Sequence, residues 1–225
     1  MKSIKTIQLC VLLIMIFYFP FFYALAASQS SIRYVALGDS YTIGSGGPPE
    51  NSWPAVITER LQKKGIPLEL VANLGREGWT TQDLIDFELP VFIKIHPDCV
   101  SVLIGVNDWV QGVDRSDFEE HFHFILDKIL EVVPDHNRVI VVTIPDFSVM
   151  PAGSQFSGGR DISSGIASFN QIIKKEAALY GLKVVDLYPL SQTMGGDPTL
   201  SASDGLHPSA KGYALWADLI EKAFN

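Results

Sequence analysis

The chain has 225 residues, 47% of them hydrophobic, and carries 17 basic against 25 acidic side chains for a formal charge of −8. That length suits one α/β domain with a full core. An acidic chain without a basic run is a poor match for phosphate backbones, so nucleic acid is not an expected partner.

The first segment stands apart from the rest. Lys2 and Lys5 precede a nearly continuous apolar run from Ile7 to Leu25, and Ala24-Leu25-Ala26 places small residues where a signal peptidase cuts. This pattern predicts a secretory signal peptide over residues 1–26, with the functional domain over 27–225 and the mature protein exported. The rival reading is an uncleaved anchor on the outer face of the membrane, because the run approaches spanning length. Pro20 and the Ala-x-Ala site favour cleavage. Cys10 falls in this leader and leaves Cys99 alone in the mature chain, so no disulfide framework and no cysteine metal site is expected. Cys99 reads as a small buried apolar residue.

After a short polar tether, strand-like and helix-like segments alternate. The strand candidates are residues 33–37, 68–73, 99–105, 138–143 and 183–186. They are short, rich in Val, Ile and Leu, and lack polar alternation, as strands covered on both faces do. Helical patterns fall at 53–64, 80–87, 116–133, 162–180 and from 208 to the end. In the third, Phe118, Phe122, Ile125, Ile129 and Val132 recur at three- and four-residue steps and make one apolar face. Ser116 reads as its N-cap, and Pro208 as the first position of the last helix. The alternation predicts a three-layer α/β domain with right-handed crossovers. Two longer loops, 145–161 and 189–207, follow strand ends and are candidates for function.

Chemistry-bearing residues cluster at the carboxyl ends of the strands, where ligands bind in open α/β sheets. The first strand stops at Gly38-Asp39-Ser40. A serine hydroxyl is a weak nucleophile that needs a base, and the base needs an orienting group. Of the five histidines, only His207 has an aspartate three residues before it, Asp204, close enough to fold back onto the imidazole. His121 and His123, two apart on a helix, point in different directions and are not expected to hold a metal. Donors for an oxyanion are available from Gly78, after the second strand, and from Asn107, after the third. Taken singly, each of these is also an ordinary turn or capping residue.

Together, in this order, they closely resemble the SGNH (GDSL-type) esterase and lipase family, whose four blocks appear as Gly38-Asp39-Ser40, Gly78, Gly105-x-Asn107-Asp108 and Asp204-x-x-His207. The resemblance covers essentially the whole mature chain. The first block continues with Tyr41 where the family has leucine, which bears on pocket shape more than mechanism. The resemblance implies a flavodoxin-like α/β/α sandwich with a five-stranded parallel sheet in the order 2-1-3-4-5. It also implies a serine ester hydrolase acting through an acyl-Ser40 intermediate, with catalytic Ser40, Asp204 and His207. The oxyanion hole would be Ser40, Gly78 and Asn107, and no metal or organic cofactor would be required. The expected substrate is an ester of a small acyl group with a carbohydrate or lipid-like alcohol. Acyl transfer with the same residues, and a secreted binding module with a vestigial site, are the alternatives. Trp79 and Trp109 adjoin the blocks and are candidates for the substrate pocket; helix-to-sheet packing is the competing reading for each.

Overall fold

The computed structural model describes residues 30–224. The expected leader at 1–26, with Cys10, lies outside the described residues. Five parallel strands, β1 (Ile32–Gly38), β2 (Leu68–Asn73), β3 (Cys99–Leu103), β4 (Val139–Val142) and β5 (Lys183–Val185), form one sheet in the order β2-β1-β3-β4-β5. Every residue of β3 and β4 is buried, on both sides of the pleat. Both faces of the sheet are therefore covered, which is why these strands read as unbroken apolar runs.

The helices follow in chain order: α1 (Ser40–Ile43), α2 (Trp53–Lys63), α3 (Thr81–Asp83), α4 (Leu89–Ile95), α5 (Val106–Gln111), α6 (Arg115–Val132), α7 (Ile162–Leu179), α8 (Tyr188–Gln192) and α9 (Ala210–Ile220). Two groups flank the sheet, α2 with α9 and α6 with α7. The apolar stripe of α6 buries Phe118, Phe122, Ile125 and Ile129 as its periodicity predicts. Among the described residues no helix is long and apolar enough to cross a membrane.

Three expectations need correction. The pattern at 80–87 is not one helix. It divides into α3, a π turn over Leu84–Glu88 and α4, and runs on to Ile95. Pro90 has no N–H and its ring crowds the carbonyl four residues back, so the ladder widens just ahead of it, with the Leu89 N–H bonding Leu84 O. The cap of α6 is Asp114 rather than Ser116. Pro208 precedes α9 rather than opening it; Ser209 is the cap, its Oγ accepting the Gly212 N–H at 3.2 Å.

The sheet order decides where the site forms. Gly38 at the end of β1 pairs with Leu103 of β3, and Ala36 pairs with Asn73 of β2. The chain leaves all three strands at one edge, side by side.

Candidate active site

The turn after β1 is built for close approach. Gly38 has φ +148°, and a Cβ there would lie 2.1 Å from Leu103 O and 2.4 Å from Thr42 Oγ1. Asp39 then caps α1, its Oδ1 accepting the Tyr41 N–H at 2.9 Å. Ser40 is thereby the first residue of α1, a position whose N–H has no intrahelical partner. Glu88, from the π turn, accepts the Gly38 N–H at 3.0 Å. Burial pushes the Asp39 carboxyl up to about 8 and drives that of Glu88 well above its ordinary range. Among the described residues Oδ2 of Asp39 and Oε1 of Glu88 have no hydrogen-bond partner.

Ser40 is buried to 7% exposure, and its Oγ lies 3.0 Å from His207 Nε2. His207 Nδ1 lies 2.7 Å from Asp204 Oδ2, while Asp204 Oδ1 accepts the N–H groups of Leu206 and His207 at 2.8 and 2.9 Å. Burial works to raise the Asp204 pKa, but the hydrogen bonds from His207 and Leu206 outweigh it and hold the carboxyl below its ordinary value. An ionised carboxylate only accepts, so Nδ1 donates to it and Nε2 is left to accept the Ser40 hydroxyl proton. The loop is pinned around this line. Ala202 N–H bonds His207 O, Ala152 N–H bonds Gly205 O, and the Tyr41 ring meets the His207 ring edge-on at 5.7 Å.

Asn107 sits in the first turn of α5, and one of its Nδ2 hydrogens goes to Trp79 O at 2.9 Å. That bond ties the loop carrying Gly78 to the end of β3 and leaves the second amide hydrogen unengaged. Gly78 has φ +77°, a conformation that favours glycine. Ser40, Gly78, Asn107 and His207 all border one cavity of about 180 Å³, walled by Val106, Val110, Phe147, Phe156 and Leu206. The arrangement offers a nucleophile with a base in line, donors beside it, and an apolar recess.

Asp108, named in the sequence only as a companion of Asn107, is fully buried and accepts from the Thr81 N–H at 3.0 Å and from the Thr81 hydroxyl. His121 Nδ1 bonds that same hydroxyl at 3.1 Å, whereas His123 Nδ1 pairs with Glu176 at 2.9 Å. Burial raises the Asp108 carboxyl and the Thr81 bonds oppose it. Sequence reasoning missed Thr81 and Phe156. Thr81 had no signal beyond its place after Gly78, while Phe156 stands in the 145–161 loop already marked as a candidate for function.

Trp109 does not line the cavity, which corrects the expectation for it. Its ring is 5% exposed, packs on Gly165, whose Cβ would lie 1.9 Å from Trp109 Nε1, and is covered by the Arg160 guanidinium at 4.2 Å from the ring centroid. Arg160 also donates to the carbonyls of Trp109 and Val110 at 2.7 and 2.8 Å. Trp79 is half-buried, packs beside Phe87 at 5.5 Å, and borders a neighbouring open groove rather than the cavity itself.

Comparison with known proteins agrees with this architecture. Residues 36–215 match the model of the GDSL-like Lipase/Acylhydrolase family. The chain is 35% identical to a multidomain esterase of Ruminococcus flavefaciens, over 88% of this chain and 29% of that one. It is 30% identical to an arylesterase of Vibrio mimicus, over 54% of this chain and 58% of that one. The chain thus spans less than a third of the first relative and somewhat over half of the second. The crystal structure of a lipase/acylhydrolase from Enterococcus faecalis superposes with a TM-score of 0.69 at 25% identity, covering 84% of this chain and 93% of that one.

Proposed function

The chain belongs to the GDSL-like lipase/acylhydrolase family, and from that premise we propose that it is a serine hydrolase of carboxylic esters with short acyl groups. The observation that carries this reading is the hydrogen-bonded line from Asp204 through His207 to Ser40, opening on an apolar cavity.

In the proposed reaction Ser40 Oγ attacks the ester carbonyl while His207 Nε2 takes its proton. Asp204 holds the imidazole in the right tautomer and stabilises the imidazolium. The oxygen that gains charge accepts from the Ser40 N–H, the Gly78 N–H and the second hydrogen of Asn107 Nδ2. When the tetrahedral intermediate collapses, the carbonyl-to-alkoxy bond breaks, His207 protonates the departing alcohol, and the acyl group stays on Ser40. Water then repeats the sequence with His207 as base, releasing the acid and restoring the serine. The recess, at about 180 Å³, is below the roughly 300–1,000 Å³ of sites for drug-sized ligands. Its size supports short acyl chains over long ones.

Release of p-nitrophenol from acetate, butyrate, octanoate and palmitate esters tests this. Activity should be highest on the two short esters and fall by about 10⁴-fold or more in Ser40→Ala. A Ser40→Ala protein with full activity would sink the assignment. We further infer from the charge, apolar run and small residues of 1–26 that the enzyme acts outside the cytoplasm. A mature N-terminus at Ala27 in the exported protein would support it; retention of the leader would favour an anchored form.

A further inference from the structure

Beside the catalytic cavity, on the far side of Glu77, lies a second concavity of about 560 Å³, open to solvent. Glu77 borders both spaces. An ester with its carbonyl at Ser40 and its acyl chain in the recess therefore has this groove open to its alcohol portion.

The lining is unlike the recess. One side is the segment Gly44-Ser45-Gly46-Gly47, whose three glycines present backbone with no side chains. The other side is the turn that carries Arg76, Glu77 and Trp79. That turn is held to the end of β1 by the Arg76 N–H on Gly38 O, and closed by the Trp79 N–H on Arg76 O. Ser45 is 8% exposed; its carbonyl accepts from Tyr213 Oη at 2.9 Å, and its Oγ donates to Glu77 Oε1 at 2.7 Å. One oxygen of the exposed Glu77 carboxylate is thus engaged, with Oε2 left to accept from a ligand. Among the described residues the Arg76 guanidinium has no hydrogen-bond or ion-pair partner, and the Trp79 indole N–H has no acceptor. The Trp79 ring is braced by Phe87, itself 57% exposed.

Resting on the hydrolase reading above, we propose that this groove is the leaving-group subsite and that it takes a polyhydroxylated ring, that is, the sugar portion of an O-acylated carbohydrate. A flat aromatic face, free donors on Arg76 and Trp79, an oriented carboxylate acceptor and a side-chain-free wall match a ring that is apolar on its faces and hydroxylated on its rim. A fatty alcohol would have to desolvate the Arg76 and Glu77 charges without replacing their hydrogen bonds. A simple aryl alcohol would use only the indole. The sugar hydroxyl released at this subsite is the oxygen that His207 protonates when the acyl bond breaks.

The test is acetate release, followed by pH-stat, from mono-acetylated methyl glycosides (glucoside, xyloside and mannoside) against ethyl acetate. The wild-type protein should favour at least one glycoside by tenfold or more in kcat/KM. Arg76→Ala and Trp79→Ala should each cut that preference by about tenfold, the scale of one hydrogen bond, chiefly through KM. A wild-type enzyme that hydrolyses ethyl acetate with no glycoside preference would overturn the subsite. So would variants that keep the preference. A folded protein inactive on ethyl acetate and on all the nitrophenyl esters would instead remove the hydrolase reading, and the subsite with it.

Discussion

Asp39 does two things at once in the turn that carries Ser40. Its Oδ1 holds the Tyr41 N–H, and its burial keeps the carboxyl protonated up to about pH 8. In the unfolded chain it ionises near its ordinary 3.8. Below that pH both states hold the proton and the group's contribution to stability is fully present. As pH rises toward 8 only the unfolded chain releases the proton, so stability is lost at up to about 1.4 kcal/mol per pH unit. Asp39→Asn keeps the Oδ1 acceptor and removes the titration. Its melting temperature, measured against wild type from pH 5 to 8, should gain steadily with pH. A constant difference would show that Asp39 is already ionised. Asn107 poses a different question, since one amide hydrogen is engaged by Trp79 O while the residue lines the cavity. Asn107→Ala should lower kcat on an acetate ester by about 10²–10³ with a smaller change in KM. A kcat within a few-fold of wild type would remove Asn107 from the reaction.

At the scale of elements, the strands were readable because burial on both faces leaves unbroken apolar runs, and β1 to β5 fall within two residues of the segments expected. Helix ends were less legible where side chains compete for one role. Pro208 is a good opening residue, but its neighbour Ser209 has the hydroxyl that caps α9, and that hydroxyl also donates to Thr199 O at 2.6 Å. The π turn was invisible because it answers a single residue, Pro90, inside a pattern that otherwise reads as helix. Ser209 stands two residues after His207, so its cap also anchors the loop that carries His207. Ser209→Ala should cost about 1 kcal/mol, lowering the melting temperature by roughly 2–4 °C for a domain of this size. Thermal unfolding followed by circular dichroism checks it; an unchanged midpoint would mean the bridge between Ser201 and Pro208 holds the loop alone.

Over the whole molecule, the order β2-β1-β3 makes three distant segments into one surface. Ser40, Gly78 and Asn107 stood out because each follows a strand end, and Asp204 and His207 because their spacing is local. Thr81 and Arg160 did not, because each acts on a partner 27 or more residues away, Asp108 for Thr81 and Trp109 and Val110 for Arg160; Phe156 did not, because only the folded 145–161 loop brings it to a wall shared with Val106, Val110 and Leu206. Trp109 was misplaced for the same reason, since Gly165 and Arg160 that enclose it lie more than fifty positions on. That convergence points to Ser40 as the nucleophile. The most direct measurement is peptide mapping by mass spectrometry after treatment with diethyl p-nitrophenyl phosphate, which phosphorylates an activated serine. One diethylphosphoryl group is expected, on Ser40, formed with loss of esterase activity and slowed by at least about 10²-fold in His207→Ala. A folded, ester-hydrolysing protein that carries the label elsewhere, or stays active with Ser40 labelled, would contradict it.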